Sequence, residues 1–265
     1  MMDITSPSNP IIKEIKSLYR KKGRWTKHLF LAEGIKVVEE CIDNNCPIAH
    51  IVYSDELFNM GGGQALFDKI KSYDRLVRIP HKLYREISDM ESPQGVLAVI
   101  GFEVSTIEDL DIQNSPFFLL LDEVQDPGNM GTIIRTADAF GIDGIIVTEG
   151  CVDIYNPKVV RSTMGSILRT PIFHEPERMG VIEKLKREGV KIYSTSLEGS
   201  QYIQDTNFKE SCVLIIGNES KGVSKSLYSL ADNLIKIPML GKAESLNAAV
   251  ASSIIMYEAM RQRIQ

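Results

Sequence analysis

Residues 117–141 read FFLLLDEVQDPGNMGTIIRTADAFG: an apolar run ending on Asp122, a Pro127-Gly128 turn, then an apolar-periodic helix. Strand, loop and helix in that order constrain the chain more than any other stretch. The rest of the second half repeats the pattern. Strands fit at 117–121, 144–147, 191–194, 212–216 and 234–237, and helices at 130–140, 157–164, 178–188, 224–230 and 245–261. Short apolar strands alternating with helices predict an α/β domain on a mostly parallel sheet covered on both faces. Polar groups at the carboxyl ends of such strands mark the usual site region. Asn129 stands at one loop exit, with Arg135 a turn and a half into the following helix. In the final helix Leu246, Val250, Ile254 and Tyr257 recur at helical spacing.

The first hundred residues read as a separate compact α/β unit. Ser8-Asn9-Pro10 starts a helix whose stripe is Ile11, Ile15 and Leu18. A basic loop at 20–27 follows. Strands then fit at 29–31, 48–53, 76–79 and 95–100, with helices at 35–42, 65–70 and 82–87. Glu33 sits near the start of the first of these helices, where the dipole favours an acid. Residues 103–115 read as a polar linker or edge helix.

A formal net charge of -5 disfavours a chain that binds nucleic acid over its whole surface. Its distribution points the other way: Lys13, Lys16, Arg20, Lys21, Lys22, Arg24 and Lys27 cluster near the start with Tyr19 and Trp25 interleaved. Such a cluster suits phosphates and bases, or is a solvated basic helix end. The four cysteines form no CxxC pair and are expected to be reduced and mostly buried. No apolar run reaches membrane-spanning length and no secretory segment opens the chain, so a cytoplasmic protein is expected.

Two further strand ends carry motifs. Gly217-Asn218-Glu219-Ser220-Lys221-Gly222 is neither a Walker A loop nor a dinucleotide fingerprint. Glu219 there suits a ribose hydroxyl or an arginine. Ile237-Pro238-Met239-Leu240-Gly241 leads into Glu244-Ser245-Leu246-Asn247. Ser245 is the expected N-cap, which leaves Asn247 for function. His28, His50, His81 and His174 lie outside all three loops. Without a histidine base, the chemistry is expected to rest on orientation and electrostatics.

These three motifs, in order and suitably spaced, resemble the SpoU/TrmH family of RNA ribose 2'-O-methyltransferases in the SPOUT superfamily, over about 116–261. Phe30-Leu31-Ala32-Glu33-Gly34 and Pro93-Gln94-Gly95 resemble the family's L30e-like substrate-binding domain, and residues 1–28 its basic leading helix in members that modify ribosomal RNA. The implied domains are 1–28, 29–102, a linker at 103–115, and 116–265. The resemblance implies a deep trefoil knot in the last domain, which general topology rules would not predict. It implies S-adenosylmethionine held by Thr195, Ser196, Leu197, Gly199, Ile216, Gly217, Asn218, Ile237, Pro238, Met239 and Leu246, with no metal, and a homodimer formed through the C-terminal domain. Arg135 would lie near the target hydroxyl and phosphate, either accepting the proton or only steering charge. Asn129 and Glu219 would fix Arg135 and the ribose, while Ser245 and Asn247 hold loops or substrate. The seven basic residues and Arg135 would contact RNA, expected to be ribosomal. A tRNA substrate, or a non-catalytic RNA-binding or ribosome-associated protein of the same fold, remains the alternative.

Overall fold

In the computed structural model, which describes residues 2–264, every strand anticipated from the sequence forms and three short ones join them. Met1 and Gln265, included in the expected domain ranges, lie outside the described residues. The chain divides into two units. The first takes residues up to Glu103 together with Asp153–Leu168, and the second takes Val104–Val152 and the rest from Arg169.

The first unit contains β1 (Met2–Asp3), α1 (Pro10–Leu18), α2 (Lys21–Lys27), β2 (Leu29–Glu33), α3 (Ile35–Asp43), β3 (Ile48–Tyr53), α4 (Gly63–Ile70), β4 (Leu76–Arg78), α5 (His81–Ile87) and β5 (Val96–Gly101). Its sheet runs β1-β4-β3-β5-β2, with β5 antiparallel to both neighbours. The Asn9 side chain caps α1 by accepting from the Ile11 N–H, and Pro10 fills a position that needs no donor. The face α1 buries is Ile12, Ile15 and Leu18, one residue away from the expected stripe at its start.

The segment read as a basic loop is the helix α2. Gly23 lets it approach α1: an added Cβ would stand 2.1 Å from the Ser17 carbonyl oxygen. Arg24, grouped with the RNA-facing cations on sequence grounds, is 2% exposed. Its Nε donates to Asp153 Oδ2 at 2.8 Å and its Nη1 to the Leu18 carbonyl at 2.7 Å, while Trp25 Nε1 donates to Asp153 Oδ1 at 3.1 Å. The partner carboxylate lies 129 residues away, so local composition gave no sign of it. Glu33 likewise is no helix-dipole acid. It ends β2 inside the core, accepting from the Ser88 and Tyr84 hydroxyls, and burial pushes its carboxyl above the usual range despite those bonds.

The second unit opens with β6 (Phe117–Leu121), α6 (Pro127–Phe140) and β7 (Gly144–Val147). The chain then contributes α7 (Pro157–Thr163) to the first unit, although sequence order placed this helix in the second domain. It returns with β8 (Ile172–His174), α8 (Arg178–Arg187), β9 (Lys191–Thr195), β10 (Gln201–Tyr202), β11 (Cys212–Ile216), α9 (Lys225–Tyr228), β12 (Asn233–Lys236) and α10 (Ala248–Arg263). The sheet order is β10-β12-β9-β11-β6-β7-β8 and every pairing is parallel. The parallel pairing matches the knotted domain that the resemblance implied. The expected linker is largely part of this unit. Ser105 bridges to Phe173, and a Thr106 capping box starts a short 3-10 turn that buries Ile107.

The final helix differs most from its sequence reading. Its N-cap is Asn247, whose Oδ1 accepts from the Ala249 and Val250 amides, not Ser245. The face it buries is Ala249, Ser252, Ile255, Met256 and Ala259, which packs toward α6. The regular stripe Leu246, Val250, Ile254 and Tyr257 points outward.

Candidate active site

Four strand ends build one edge of the second unit. The loop after β11 is tight: Asn218 and Gly222 exchange backbone hydrogen bonds, and a Cβ on Gly217 would stand 2.2 Å from the Gly222 carbonyl carbon. Glu219 projects from this loop and is satisfied by the strand-to-helix turn opposite. Its carboxylate accepts from Asn129 Nδ2 at 2.9 Å, the Asp126 N–H at 3.2 Å and the Gln125 N–H at 3.4 Å. Burial alone would raise the Glu219 pKa. The bonds from Asn129 and the backbone amides outweigh it and hold the carboxyl below its usual value.

Asn129 in turn accepts at Oδ1 from Asn247 Nδ2 at 2.9 Å. A relay therefore runs from Glu219 through Asn129 to Asn247 and ends in the cap of α10. Both amide groups are fixed by their partners, since each oxygen and nitrogen has one assignment that satisfies the chain. This answers why Asn247 is both cap and site residue: its oxygen serves the helix and its nitrogen serves Asn129. Asn129 lies in the first turn of α6, where Asp126 accepts its N–H at 2.8 Å. Arg135, more than two turns into α6, is exposed and makes no ion pair with another described residue. The structure thus joins Glu219 to Asn129 and Asn247 but not to Arg135, which the sequence reading had Glu219 fixing.

Beside the relay lies a cleft of about 780 Å³. Thr195, Ser196, Leu197, Ile216, Gly217, Asn218, Ile237, Met239 and Leu246 line it, as do Glu219 and Ser245. Gly199 and Pro238, expected there, do not. A Cβ on Gly199 would stand 2.8 Å from the Leu234 carbonyl oxygen, so its role is to let the loop lie against β12. Leu197 is 63% exposed, with Met239 and Leu246 also open to solvent. Apolar side chains left uncovered around a polar-backboned cleft suit a ligand with a flat ring and hydrogen-bonding edges. Sequence reasoning missed Tyr228, whose hydroxyl lies 3.2 Å from Ser196 Oγ, and the alanines 248 and 251, whose small size leaves room at the start of α10. The Ala-rich run after Asn247 was the available signal.

In the first unit, Lys13, Lys16, Arg20, Lys22 and Lys27 line a second cleft between α1 and α2, floored by Gly23. Lys27 pairs with Glu14 at 2.7 Å and Lys16 with Glu86 at 3.6 Å, leaving the group strongly positive. Lys21 stands outside this lining, on the exposed first turn of α2.

An all-parallel knotted sheet with a ligand cleft at its looped edge, preceded by a small α/β unit, defines a class of RNA-methylating proteins. The chain belongs to the SpoU rRNA methylase family, whose model matches residues 116–257, and residues 9–98 match an MRM3-like substrate binding domain. It is 34% identical to the 23S rRNA (guanosine(2553)-2'-O)-methyltransferase RlmP of Bacillus subtilis over 97% of this chain and 98% of that one. It is 32% identical to the 23S rRNA (uridine(2479)-2'-O)-methyltransferase of Streptomyces viridochromogenes, over 89% and 83%. Its structure is similar to that of an AdoMet-bound rRNA methyltransferase from Sinorhizobium meliloti, with a TM-score of 0.85, 34% identity and coverage of 98% and 97%.

Proposed function

We infer that this protein transfers a methyl group from S-adenosylmethionine to a ribose 2'-hydroxyl of ribosomal RNA. The observation that carries the reading is the Glu219–Asn129–Asn247 relay set against the apolar-lined cleft, on a chain that matches rRNA ribose methyltransferases over nearly its whole length. The residues fit the cofactor: the cleft has the volume of a nucleoside site, and its walls combine backbone polar groups with exposed Leu197, Met239 and Leu246. Backbone groups of 216–218, Ile237 and Met239 would take the adenine edge, and those three side chains its faces.

When bound, the sulfonium supplies a methyl group that is already electrophilic, so the protein's work is alignment and charge control. Glu219 and Asn247 lock the Asn129 amide and with it the first turn of α6. Arg135 then projects from a helix whose start is held by both Glu219 and Asn247. A guanidinium is a poor base near neutral pH, and its five donors match a phosphate. Arg135 is therefore assigned to orient the RNA phosphate and the 2'-hydroxyl, with the hydroxyl proton passing to a phosphate oxygen. Ser245, on the cleft wall, positions the loop that precedes α10.

RNA selection is assigned to the first unit, where the cationic cleft between α1 and α2 suits a phosphodiester backbone. Lys13, Lys16, Arg20, Lys22 and Lys27 line that cleft, with Lys21 on the exposed first turn of α2 as a further RNA contact; buried Arg24 is not one. A homodimer through the C-terminal domain is supported by the outward stripe of Val250, Ile254 and Tyr257, where Phe140 meets the Tyr257 ring at 5.9 Å. The four free cysteines fit a reducing, cytoplasmic setting, and no helix of the described residues is long and apolar enough to cross a membrane. Transfer of labelled methyl groups from S-adenosylmethionine to unmodified ribosomal RNA tests the reading: label in ribosomal RNA is expected, and label confined to tRNA, or none, rejects it.

A further inference from the structure

One wall of the cleft is held by a buried carboxylate that the proposed chemistry leaves unused. Asp122 closes β6 and is 1% exposed. Its Oδ1 accepts from Arg178 Nη1 at 2.7 Å, and its Oδ2 accepts from the Ser224 N–H, also at 2.7 Å. Arg178 opens α8, outside every motif loop. Its Nη2 donates to Glu123 Oε1 at 3.1 Å and to the Glu149 carbonyl at 3.2 Å.

Glu123 follows Asp122 with φ +59°, a left-handed backbone that a non-glycine residue adopts only when its surroundings hold it there. The Glu123 carbonyl accepts from Asn218 Nδ2 at 2.9 Å. The loop after β11 is thus tied at both ends to two adjacent residues: at Asn218 through the Glu123 carbonyl, and at Ser224 through the Asp122 carboxylate. Between the ties lie Glu219 to Val223, all of which wall the cleft. Charge-assisted hydrogen bonds of this kind are the strong ones, and a buried carboxylate stripped of its cation is costly. Without Arg178, two neighbouring carboxylates would face each other with no cation between them.

We propose that Asp122 and Arg178 are positioning residues that fix the cofactor-facing wall of the cleft and so set the affinity for S-adenosylmethionine without touching it. The proposal rests on the methyltransferase reading above. It differs from a plain fold-stabilising ion pair in what it moves: the affinity and KM for the cofactor, more than kcat at saturation.

The test compares the full-length wild type with Arg178→Ala, Arg178→Lys and Asp122→Asn. It measures S-adenosylhomocysteine affinity by calorimetry, thermal stability, and methyl-transfer kinetics with varied S-adenosylmethionine. Losing one charge-assisted tie is expected to weaken affinity and raise KM about tenfold in Arg178→Ala and Asp122→Asn. The kcat at saturation should stay within about threefold, the signature of lost binding that ground and transition states share. Arg178→Lys should fall between, since an ammonium cannot reproduce the fork. Affinity within about twofold of wild type in all folded variants overturns the proposal. So does an equal fall in kcat and affinity that tracks lost folded protein, or unfolding of the Ala and Asn variants beside a Lys variant of wild-type affinity. A wild type that neither binds nor transfers would instead reject the methyltransferase reading itself.

Discussion

At the scale of single residues, the division of labour rests on which polar groups are already satisfied. Glu219, Asn129 and Asn247 consume one another's hydrogen-bonding capacity, whereas Arg135 is exposed. A group without an internal partner is the one available to substrate. Arg135→Ala is therefore expected to lower kcat by about a hundredfold or more, the range for removing an electrostatic stabiliser, while S-adenosylhomocysteine still binds. Retained turnover would remove Arg135 from the site. Glu33 gives a pH-dependent prediction. Its folded pKa is raised, so the native state is most favoured where Glu33 is protonated in both states. Stability is lost as pH rises from the ordinary carboxylate range through the raised folded value, and stays lower above it. Glu33→Gln does not ionise. Its melting temperature should gain on the wild type as pH rises through that window; a pH-independent difference would contradict the assignment. Neither Glu33 nor Arg24 was legible from its neighbours in sequence. Glu33 read as a helix-dipole acid and Arg24 as an RNA contact, because the groups that hold them in the core, Ser88 and Tyr84 for one and Asp153 for the other, are distant in the chain.

At the scale of elements, the strands were the most legible. Runs such as Phe117–Leu121 and Cys212–Ile216 are apolar throughout because a parallel strand is covered on both faces. The short edge strands Ile172–His174 and Gln201–Tyr202 were not visible, since a two- or three-residue strand carries no period. The last helix shows a more instructive limit. Its regular stripe was a true signal of an apolar face, but periodicity does not say what covers that face. Within the chain, α10 buries alanines, Ser252, Ile255 and Met256 instead. The stripe is the surface assigned to the second protomer. Ile254→Asp should weaken self-association by about a hundredfold or more, the loss expected for a charge at a hot spot, as measured by sedimentation. A wild type that sediments as a monomer would reject the dimer outright.

At the scale of the molecule, the second unit was legible as parallel α/β from its alternation, and the three loops singled out in sequence all lie at the same edge of its sheet. What gathered them into one site was not: Asn129 and Glu219 are 90 residues apart, and Asn247 is 118 from Asn129. The knot is likewise invisible to periodicity, because it is a property of the path between elements and not of any element. The contribution of Asp153–Leu168 to the first unit was equally hidden, since helical periodicity does not say which core a helix joins. The acidic total charge gave no sign of the cationic cleft, because net charge averages over surfaces that meet different partners, but the clustering of its lysines and Arg20 near the start of the chain did. The measurement that tests the account most directly maps ribose methylation on unmodified ribosomal RNA after incubation with the protein and S-adenosylmethionine. The account predicts a discrete position where the backbone becomes resistant to alkaline cleavage, present with wild type and absent with Arg135→Ala. Methyl groups found on a base, or a wild-type RNA cleaved at every nucleotide, would contradict it.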